Sequence, residues 1–120
     1  MNVDVRIENI DKIKSGLNSS PLVFAKHVNK AIKQSIMAVE RNTKPKTPVD
    51  TGYLRLAQVP YFYPLVGIYE PVAEYAIFVH EGTKFMKARP FLQQGLDDSR
   101  QYIRLAFEKA LNDSLQEIAR

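Results

Sequence analysis

A long stretch in the first half of the chain carries apolar residues at three- and four-residue steps, the spacing of an amphipathic helix. It follows Ser20-Pro21, a helix-start signal, and ends near Asn42, before Pro45 and Pro48. The positions of this apolar face are Phe24, Val28, Ala31, Ile32, Ser35 and Val39. The pattern predicts one long helix with a single buried face.

A second amphipathic stretch opens at Pro90 and reaches nearly to Arg120. Its apolar stripe consists of Leu92, Leu96, Ile103, Ala106, Phe107, Ala110, Leu111, Leu115 and Ile118. A helix of this extent is about 40 Å long. That is longer than the core of so small a chain requires, so we expect one end to pack on a neighbouring subunit.

The middle of the chain is rich in Val, Ile, Tyr and Phe and is punctuated by proline. Ala57–Tyr63 and Leu65–Tyr69 predict two strands joined by a tight proline turn, with Pro60 at an edge or bulge. Tyr75–His80 predicts a further strand, ended by a turn at Gly82. These runs indicate a small, antiparallel sheet.

Near the N-terminus, alternation over residues 3–7 predicts a short strand, and Ile10, Ile13 and Leu17 predict one or two helical turns ending near Gly16. The chain as a whole predicts a single α+β domain over residues 1–120. In it, a small antiparallel sheet packs against a long N-terminal-half helix and a long C-terminal helix.

The composition is that of a soluble globular protein. Of the 120 residues, 45% are hydrophobic and 25% are charged, and cysteine is absent. No apolar run reaches the roughly 18 residues that span a bilayer, and the N-terminus lacks a secretory pattern. We therefore expect no membrane association and a protein that stays in the cytoplasm until it joins an assembly.

The formal net charge of +4 comes from the first half of the chain. On the first long helix, four basic residues fall within an arc of about 80°, opposite the apolar face. They are Lys26, Lys30, Lys33 and Arg41, here called the basic arc. Two interpretations stay open: a solvated outer face, or a surface that faces DNA or an acidic partner.

No pattern in the sequence indicates catalysis. His80-Glu81 resembles the start of a zinc-protease HExxH motif, but Lys84 occupies the position of the second histidine. There is no nucleophile elbow and no phosphate-binding glycine loop. We therefore expect no enzyme, no metal and no cofactor. The middle aromatic residues favour packing over base stacking, because among basic residues only Arg55 is near them; they are Tyr61, Phe62, Tyr63 and Tyr69.

Asp50-Thr51-Gly52 predicts a fixed turn between the first long helix and the sheet, because Asp accepts backbone bonds and Gly permits a positive φ. Arg55 follows at the start of the strand. It is expected either to pair with Glu81 or Asp50, which would pin the turn, or to contact the next subunit.

Glu81-Gly82-Thr83 predicts the opening of a loop that contains Phe85 and Met86 between two lysines. These two apolar residues either await a partner or tuck under the last helix. Arg89 and Pro90 set the angle of that helix.

Three segments in a fixed order resemble a family of bacteriophage proteins. They are Pro48, Asp50, Thr51, Gly52, Leu54 and Arg55; then Tyr75, Ala76, Val79, His80, Glu81, Gly82 and Thr83; then Arg89, Pro90, Phe91 and Leu92. The chain is similar over nearly its whole length to the tail-completion and head–tail joining proteins of long-tailed phages and prophages. Leu56 and Ala57 depart from the family pattern, as does the shifted acidic residue at Glu81.

The resemblance implies a structural role without catalysis. Such proteins bind the tail tube or head connector at the virion neck or tail end, often as a ring of six. Subunit contacts would then involve the turn residues above and Phe91, and the basic arc would face DNA in the lumen. The alternative is a small nucleic-acid-binding accessory protein that uses the basic arc.

Overall fold

The computed structural model describes residues 10–47, 57–71, 76–84 and 87–119. Over these ranges its elements are helices α1 (Ile10–Ser19), α2 (Pro21–Thr43), α3 (Ala76–Glu81) and α4 (Phe91–Ile118), and strands β1 (Gln58–Tyr63) and β2 (Val66–Pro71). The molecule measures 59 × 21 × 20 Å. The predicted α+β class is confirmed, whereas the strand predicted over residues 3–7 lies outside the described residues.

Helices α1 and α2 follow each other with only Ser20 between them. The start of α2 at Ser20-Pro21 is confirmed, and α1 is longer than the one or two turns predicted. Ser20 makes no side-chain cap bond. Instead, its amide donates to the Gly16 carbonyl (2.7 Å) and its carbonyl accepts from the Phe24 amide (3.1 Å). The backbone of Ser20 therefore makes the hydrogen bonds at this junction.

The packing of α1 on α2 depends on Gly16. A Cβ atom there would lie 2.2 Å from the Phe24 ring. Phe24 is 2% exposed and belongs to the same core cluster as Ile13 and Leu111. Burying such an aromatic side chain contributes roughly 2–3 kcal/mol. The bare backbone of Gly16 thus provides the space in which this ring packs.

Helices α2 and α4 lie antiparallel along most of their lengths. The Asn42 amide, near the end of α2, donates to Ser99 Oγ near the start of α4 (2.9 Å). At the other end, Lys26 near the start of α2 forms an ion pair with Glu117 near the end of α4. The main core lies between these helices and α1, and its buried members are Ile13, Phe24, Val28, Ala31, Val39, Leu96, Ile103, Phe107, Ala110 and Leu111.

Small residues bring α2 and α4 close together. A Cβ atom on Gly95 would lie 1.9 Å from Thr43 Oγ1 and 2.7 Å from Thr43 Cα. Thr43, Ser99 and Ser114 are fully buried. The Ser99 hydroxyl donates to the Gly95 carbonyl (2.7 Å) and the Ser114 hydroxyl to the Ala110 carbonyl (2.6 Å), so the two serine hydroxyls are bonded within their own helix. Thr43 Oγ1 has no hydrogen-bond partner among the described residues.

The predicted apolar stripe of α4 is buried along most of its length but not at its end. Leu115 and Ile118 are 50% and 45% exposed. Both residues line a hollow beside α1, together with Gly16 and Phe24, so the chain's own elements cover the end of α4 only in part. The contact of this end with a neighbouring subunit stays a prediction.

The two predicted middle strands are confirmed as an antiparallel hairpin that packs on α2. Gly67 faces α2, where a Cβ atom would lie 2.7 Å from both Ile32 and Ile36. Pro60 lies in β1, which among the described residues pairs only with β2. Its missing amide therefore does not interrupt hydrogen bonding in the middle of a sheet.

Hydrogen bonds hold the hairpin at both ends. At its tip, the Leu65 amide donates to Asn29 Oδ1 of α2 (2.6 Å). At its base, the Tyr69 hydroxyl bonds Gln58 Oε1 (2.5 Å), and Gln58 Nε2 donates to Thr47 Oγ1 (2.6 Å). The Thr47 hydroxyl donates in turn to the Thr43 carbonyl at the end of α2 (3.0 Å).

The strand predicted over Tyr75–His80 is wrong, because Ala76–Glu81 forms helix α3. A short apolar run does not distinguish a strand from a buried helical turn. In the structure the buried residues Ala76 and His80 are four positions apart, which is the spacing of one helical face, and Phe78 between them is 57% exposed. The predicted Gly turn is present, since Gly82 has φ 80° and its amide donates to the Phe78 carbonyl (2.9 Å), ending the helix.

The start of α4 forms a second, smaller core. Phe91 is fully buried together with Ala57 and Ala76, and Val79 and Leu92 pack against them. The Arg89 amide donates to the Val79 carbonyl (2.9 Å), which joins the approach to α4 to α3. Pro90 precedes the first residue of α4, so the predicted opening of this helix is confirmed.

We expect Gly95→Ala to destabilise the protein by about 1–3 kcal/mol, because the added methyl group would overlap Thr43. Alanine favours a helix over glycine by up to about 1 kcal/mol, so packing decides the sign. Urea unfolding measures the effect, with Gln94→Ala on the exposed side of α4 as the control. An unchanged urea midpoint for Gly95→Ala would contradict the close contact with Thr43. The double variant Gly95→Ala/Thr43→Ala is expected to regain part of the stability that Gly95→Ala loses.

The hairpin turn gives a second prediction. Leu65 has φ 60°, a conformation that costs a residue with a Cβ atom about 1 kcal/mol. We expect Leu65→Gly to unfold at the same or a higher urea concentration than the native chain. Val66→Gly, one residue further along in β2, is expected to lose about 1 kcal/mol. Equal losses in the free energy of unfolding for Leu65→Gly and Val66→Gly would show that the turn is unstrained.

Candidate functional site

The side of the hairpin that faces away from α2 is unusually apolar. Alternate residues of a strand point to opposite faces, and Gly67 marks the α2 side. The register pairs Val59 with Glu70, Tyr61 with Ile68, and Tyr63 with Val66 on the other side. These six residues are here called the outer face: Val59, Tyr61, Tyr63, Val66, Ile68 and Glu70.

Most of the outer face is open to solvent. Tyr63, Val66 and Ile68 are 58%, 46% and 42% exposed. Antiparallel sheets usually carry polar residues on the side that faces water. Here Glu70 is the only charged member, so the outer face has the composition of a protein contact surface.

The basic arc is exposed on α2, opposite the buried face, as the sequence predicted. Its side chains nevertheless contact the elements on either side of α2. Lys26 forms an ion pair with Glu117 of α4, and His27 Nε2 lies 3.2 Å from the second carboxylate oxygen. The Lys26 hydrogen bond, aided by His27, lowers the pKa of Glu117.

The other three members of the basic arc also lie close to side chains of neighbouring elements. Arg41 Cζ lies 5.6 Å from the centre of the Tyr102 ring on α4, and Lys33 Nζ lies 6.0 Å from that of Phe62 in β1. Both distances suit cation–π contacts. Lys30 lies near Asp113, whose pKa is lowered first by the hydrogen bond from Lys109 and also by the Lys30 charge. The arc therefore presents positive charge to solvent while its side chains bind the chain's own elements.

The structure places only part of the predicted turn and subunit-contact set. Asp50, Thr51, Gly52, Leu54 and Arg55, together with Phe85 and Met86, lie outside the described residues. The pairing expected of Arg55 with Glu81 or Asp50 stays a prediction.

The described members of that set differ in their exposure. Glu81, Thr83 and Arg89 are exposed, and Pro90 is half-buried. Phe91 is fully buried in the second core, so its proposed role in a subunit contact is corrected to a role in the chain's own packing.

His80 is buried against Phe91 and is not at a strand end. Its ring meets that of Phe91 edge to face, with centres 5.5 Å apart, and neither ring nitrogen has a hydrogen-bond partner among the described residues. Burial lowers the pKa of His80, although the Glu81 carboxylate acts in the opposite direction. The described residues contain no group of three potential metal ligands.

An apolar groove of about 440 Å³ lies between the base of the hairpin and the start of α4. It is lined by Ile36, Val39, Tyr69, Pro71, Leu92 and Leu96, with Glu70 at its side. The described lining is mainly apolar, and its polar groups are the Glu70 carboxylate and the Tyr69 hydroxyl, which is bonded to Gln58 Oε1.

None of the described helices is both long enough and apolar enough to cross a membrane. In comparisons with known proteins, no family model, no curated protein and no solved structure matches the chain.

The outer face was not predicted from the sequence as an exposed apolar surface. The signal was present in the alternation of the second strand, where Val66, Ile68 and Glu70 are separated by Gly67 and Tyr69. Both alternate sets are largely apolar, so the pattern did not say which set faces α2. Gly67 resolves this, because only a residue without a side chain fits against Ile32 and Ile36.

His80 gives a pH-dependent prediction. Because its folded-state pKa is lowered from an unfolded value of about 6.5, the unfolded chain takes up a proton more readily as the pH falls below that value. The stability that neutral His80 supports is therefore present above about pH 6.5 and is lost at lower pH, by at most about 1.4 kcal/mol per pH unit.

We expect the free energy of unfolding of the native chain to fall more steeply between pH 7 and pH 5 than that of His80→Leu. Chemical denaturation at several pH values measures this. Above pH 8 the difference between the two proteins should be constant, which serves as the control. If the free energies of unfolding of the two proteins fell in parallel down to pH 5, the lowered pKa of His80 would be contradicted.

Proposed function

We propose that this chain is a structural virion-assembly protein that completes the tail end or neck of a long-tailed phage and joins the tail to the head. The order of the three segments, ending in Arg89, Pro90 and Phe91, supports this assignment through the family resemblance. The observation that carries the protein-binding part is the exposed outer face of the hairpin.

The architecture suits a scaffold that presents surfaces to neighbours. The antiparallel pair of α2 and α4 provides a rod that holds the hairpin on one side. In the proposed assembly, copies form a ring of about six on the tail tube or the head connector, in the manner that the resemblance implies. Leu115 and Ile118, exposed at the end of α4, supply a further apolar contact.

The basic arc has a secondary role in this proposal. Positive charge that lines a ring would attract the DNA backbone without reading its sequence. The side chains are already engaged with Glu117, Tyr102 and Phe62, so their contribution to DNA contact is weak and sensitive to salt. The alternative, an accessory protein that binds nucleic acid by itself, requires much stronger contacts from the same face.

We expect the purified chain to bind phage tails that lack it and to restore their joining to DNA-filled heads. The tails would come from the phage or prophage that encodes the chain. Sedimentation with tails measures binding, and electron microscopy locates the protein at the tail end or neck. Failure to bind either tails or heads would overturn the proposal.

A gel-shift measurement at two salt concentrations tests the alternative. Lys30→Glu with Lys33→Glu removes charge from the basic arc, and Lys12→Glu with Lys14→Glu makes the same net change on exposed positions of α1. Tight binding by the isolated chain that is lost only in the first pair would favour the accessory protein. Weak binding by all three proteins would favour the assembly protein.

A further inference from the structure

The tip of the hairpin encloses a pocket with α2 that the proposed function leaves unassigned. We propose that this pocket, here called the tip pocket, binds a segment of a partner protein in which an acidic residue adjoins a bulky apolar one. The proposal does not rest on the phage assignment, because it depends only on the chemistry of the pocket lining.

The tip pocket is a concave space of about 310 Å³ between the hairpin tip and α2. Phe62 pairs with Gly67, which faces α2, so the Phe62 ring lies on the same side of the sheet as α2. Most of the lining is apolar: Ile32 comes from α2, and Phe62, Pro64 and Val66 come from the hairpin. A concave apolar space accommodates an inserted side chain, which the flat surface of a bilayer does not supply.

The two polar side chains that α2 contributes to the tip pocket are both available as hydrogen-bond donors. Lys33 Nζ lies 6.0 Å from the centre of the Phe62 ring, and no carboxylate of the described residues pairs with it. Asn29 Oδ1 accepts from the Leu65 amide (2.6 Å), which leaves the Asn29 Nδ2 group to donate elsewhere. A positive charge and an amide donor beside an apolar wall match a carboxylate that is carried next to an apolar side chain.

Exposed apolar residues continue around the hairpin tip. Residues 62–66 are aromatic, aliphatic or proline, and all five are exposed. Turns of this kind usually contain Gly, Asn or Asp. Leu65 instead holds a 40% exposed apolar side chain at φ 60°, where glycine would cost less. Backbone strain of this kind is concentrated at binding sites, so the tip has the features of a binding element.

The composition and size of the tip pocket also limit what it binds. Lys33 is the one charged side chain in its described lining, whereas a nucleic acid is held by several phosphate contacts. A volume of about 310 Å³ is at the small end of ligand pockets, with room for a few side-chain atoms of a partner. We therefore expect an isolated peptide to bind with a dissociation constant of about 1 mM.

A nuclear magnetic resonance titration of the isotope-labelled chain tests the site. The probe is a leucine–glutamate–leucine tripeptide that is capped at both ends. We expect the Leu65 backbone amide and the Asn29 side-chain amide to shift on binding. The glutamine analogue is the matched control and is expected to bind about threefold to fivefold more weakly, because it offers Lys33 no charge. No shift of these two amides at about 10 mM glutamate peptide, or equal affinity of the two peptides, would overturn the proposal.

Substitutions of Lys33 test the recognition of the acidic group. Lys33→Met is expected to bind the glutamate and glutamine peptides equally. Lys30→Met is the matched control, since Lys30 is exposed on α2 outside the pocket lining, and it is expected to keep the preference for glutamate. Lys33→Glu is expected to prefer a leucine–lysine–leucine peptide. An unchanged preference for glutamate in both Lys33 variants, each checked for folding by circular dichroism, would overturn the proposal.

Two further measurements test other occupants of the tip. Sedimentation with vesicles of phosphatidylcholine and phosphatidylglycerol measures lipid binding, and binding that Leu65→Ser abolishes would overturn the proposal in favour of a membrane surface. Sedimentation velocity measures self-association, and a dimer that Lys33→Glu abolishes would overturn it in favour of a second copy. Tail binding is measured separately with the native chain, so either this proposal or the proposed function can fail while the other holds.

Discussion

The close approach of α2 and α4 at Thr43 and Gly95 is the constraint on which the rest of the molecule depends. It is possible because Gly95 presents only backbone and because Ser99 and Ser114 bond within their own helix. Larger residues at these positions would separate the helices and open the core around Ile103 and Phe107. Close packing of small residues thus sets the spacing that the larger apolar side chains fill.

The hairpin owes its position to α2. Gly67 lets β2 lie against Ile32 and Ile36, while Asn29 holds the tip and Gln58 holds the base. An isolated two-stranded sheet is marginally stable in water. Because α2 covers only one side, the outer face stays available, and its apolar composition is the strongest functional feature of the described chain.

The sequence predicted the long helices well, because their apolar residues repeat over many turns and prolines mark their limits. It failed for Tyr75–His80, where six residues are too few to distinguish a helix from a strand. It could not predict that Phe91 is buried or that Gly95 touches Thr43, since these contacts join segments distant in the sequence. The basic arc was predicted from spacing, but its contacts with Glu117 and Tyr102 depend on where α4 lies.

Thr43 belongs to both halves of the molecule. Its side chain sets how near α4 can come, and its carbonyl accepts the Thr47 hydroxyl that in turn holds Gln58 at the base of the hairpin. Three residues in sequence, Gln58, Thr47 and Thr43, therefore connect the base of the sheet to the contact between the two long helices. A substitution at Thr43 would disturb the seating of the sheet and the helix spacing together.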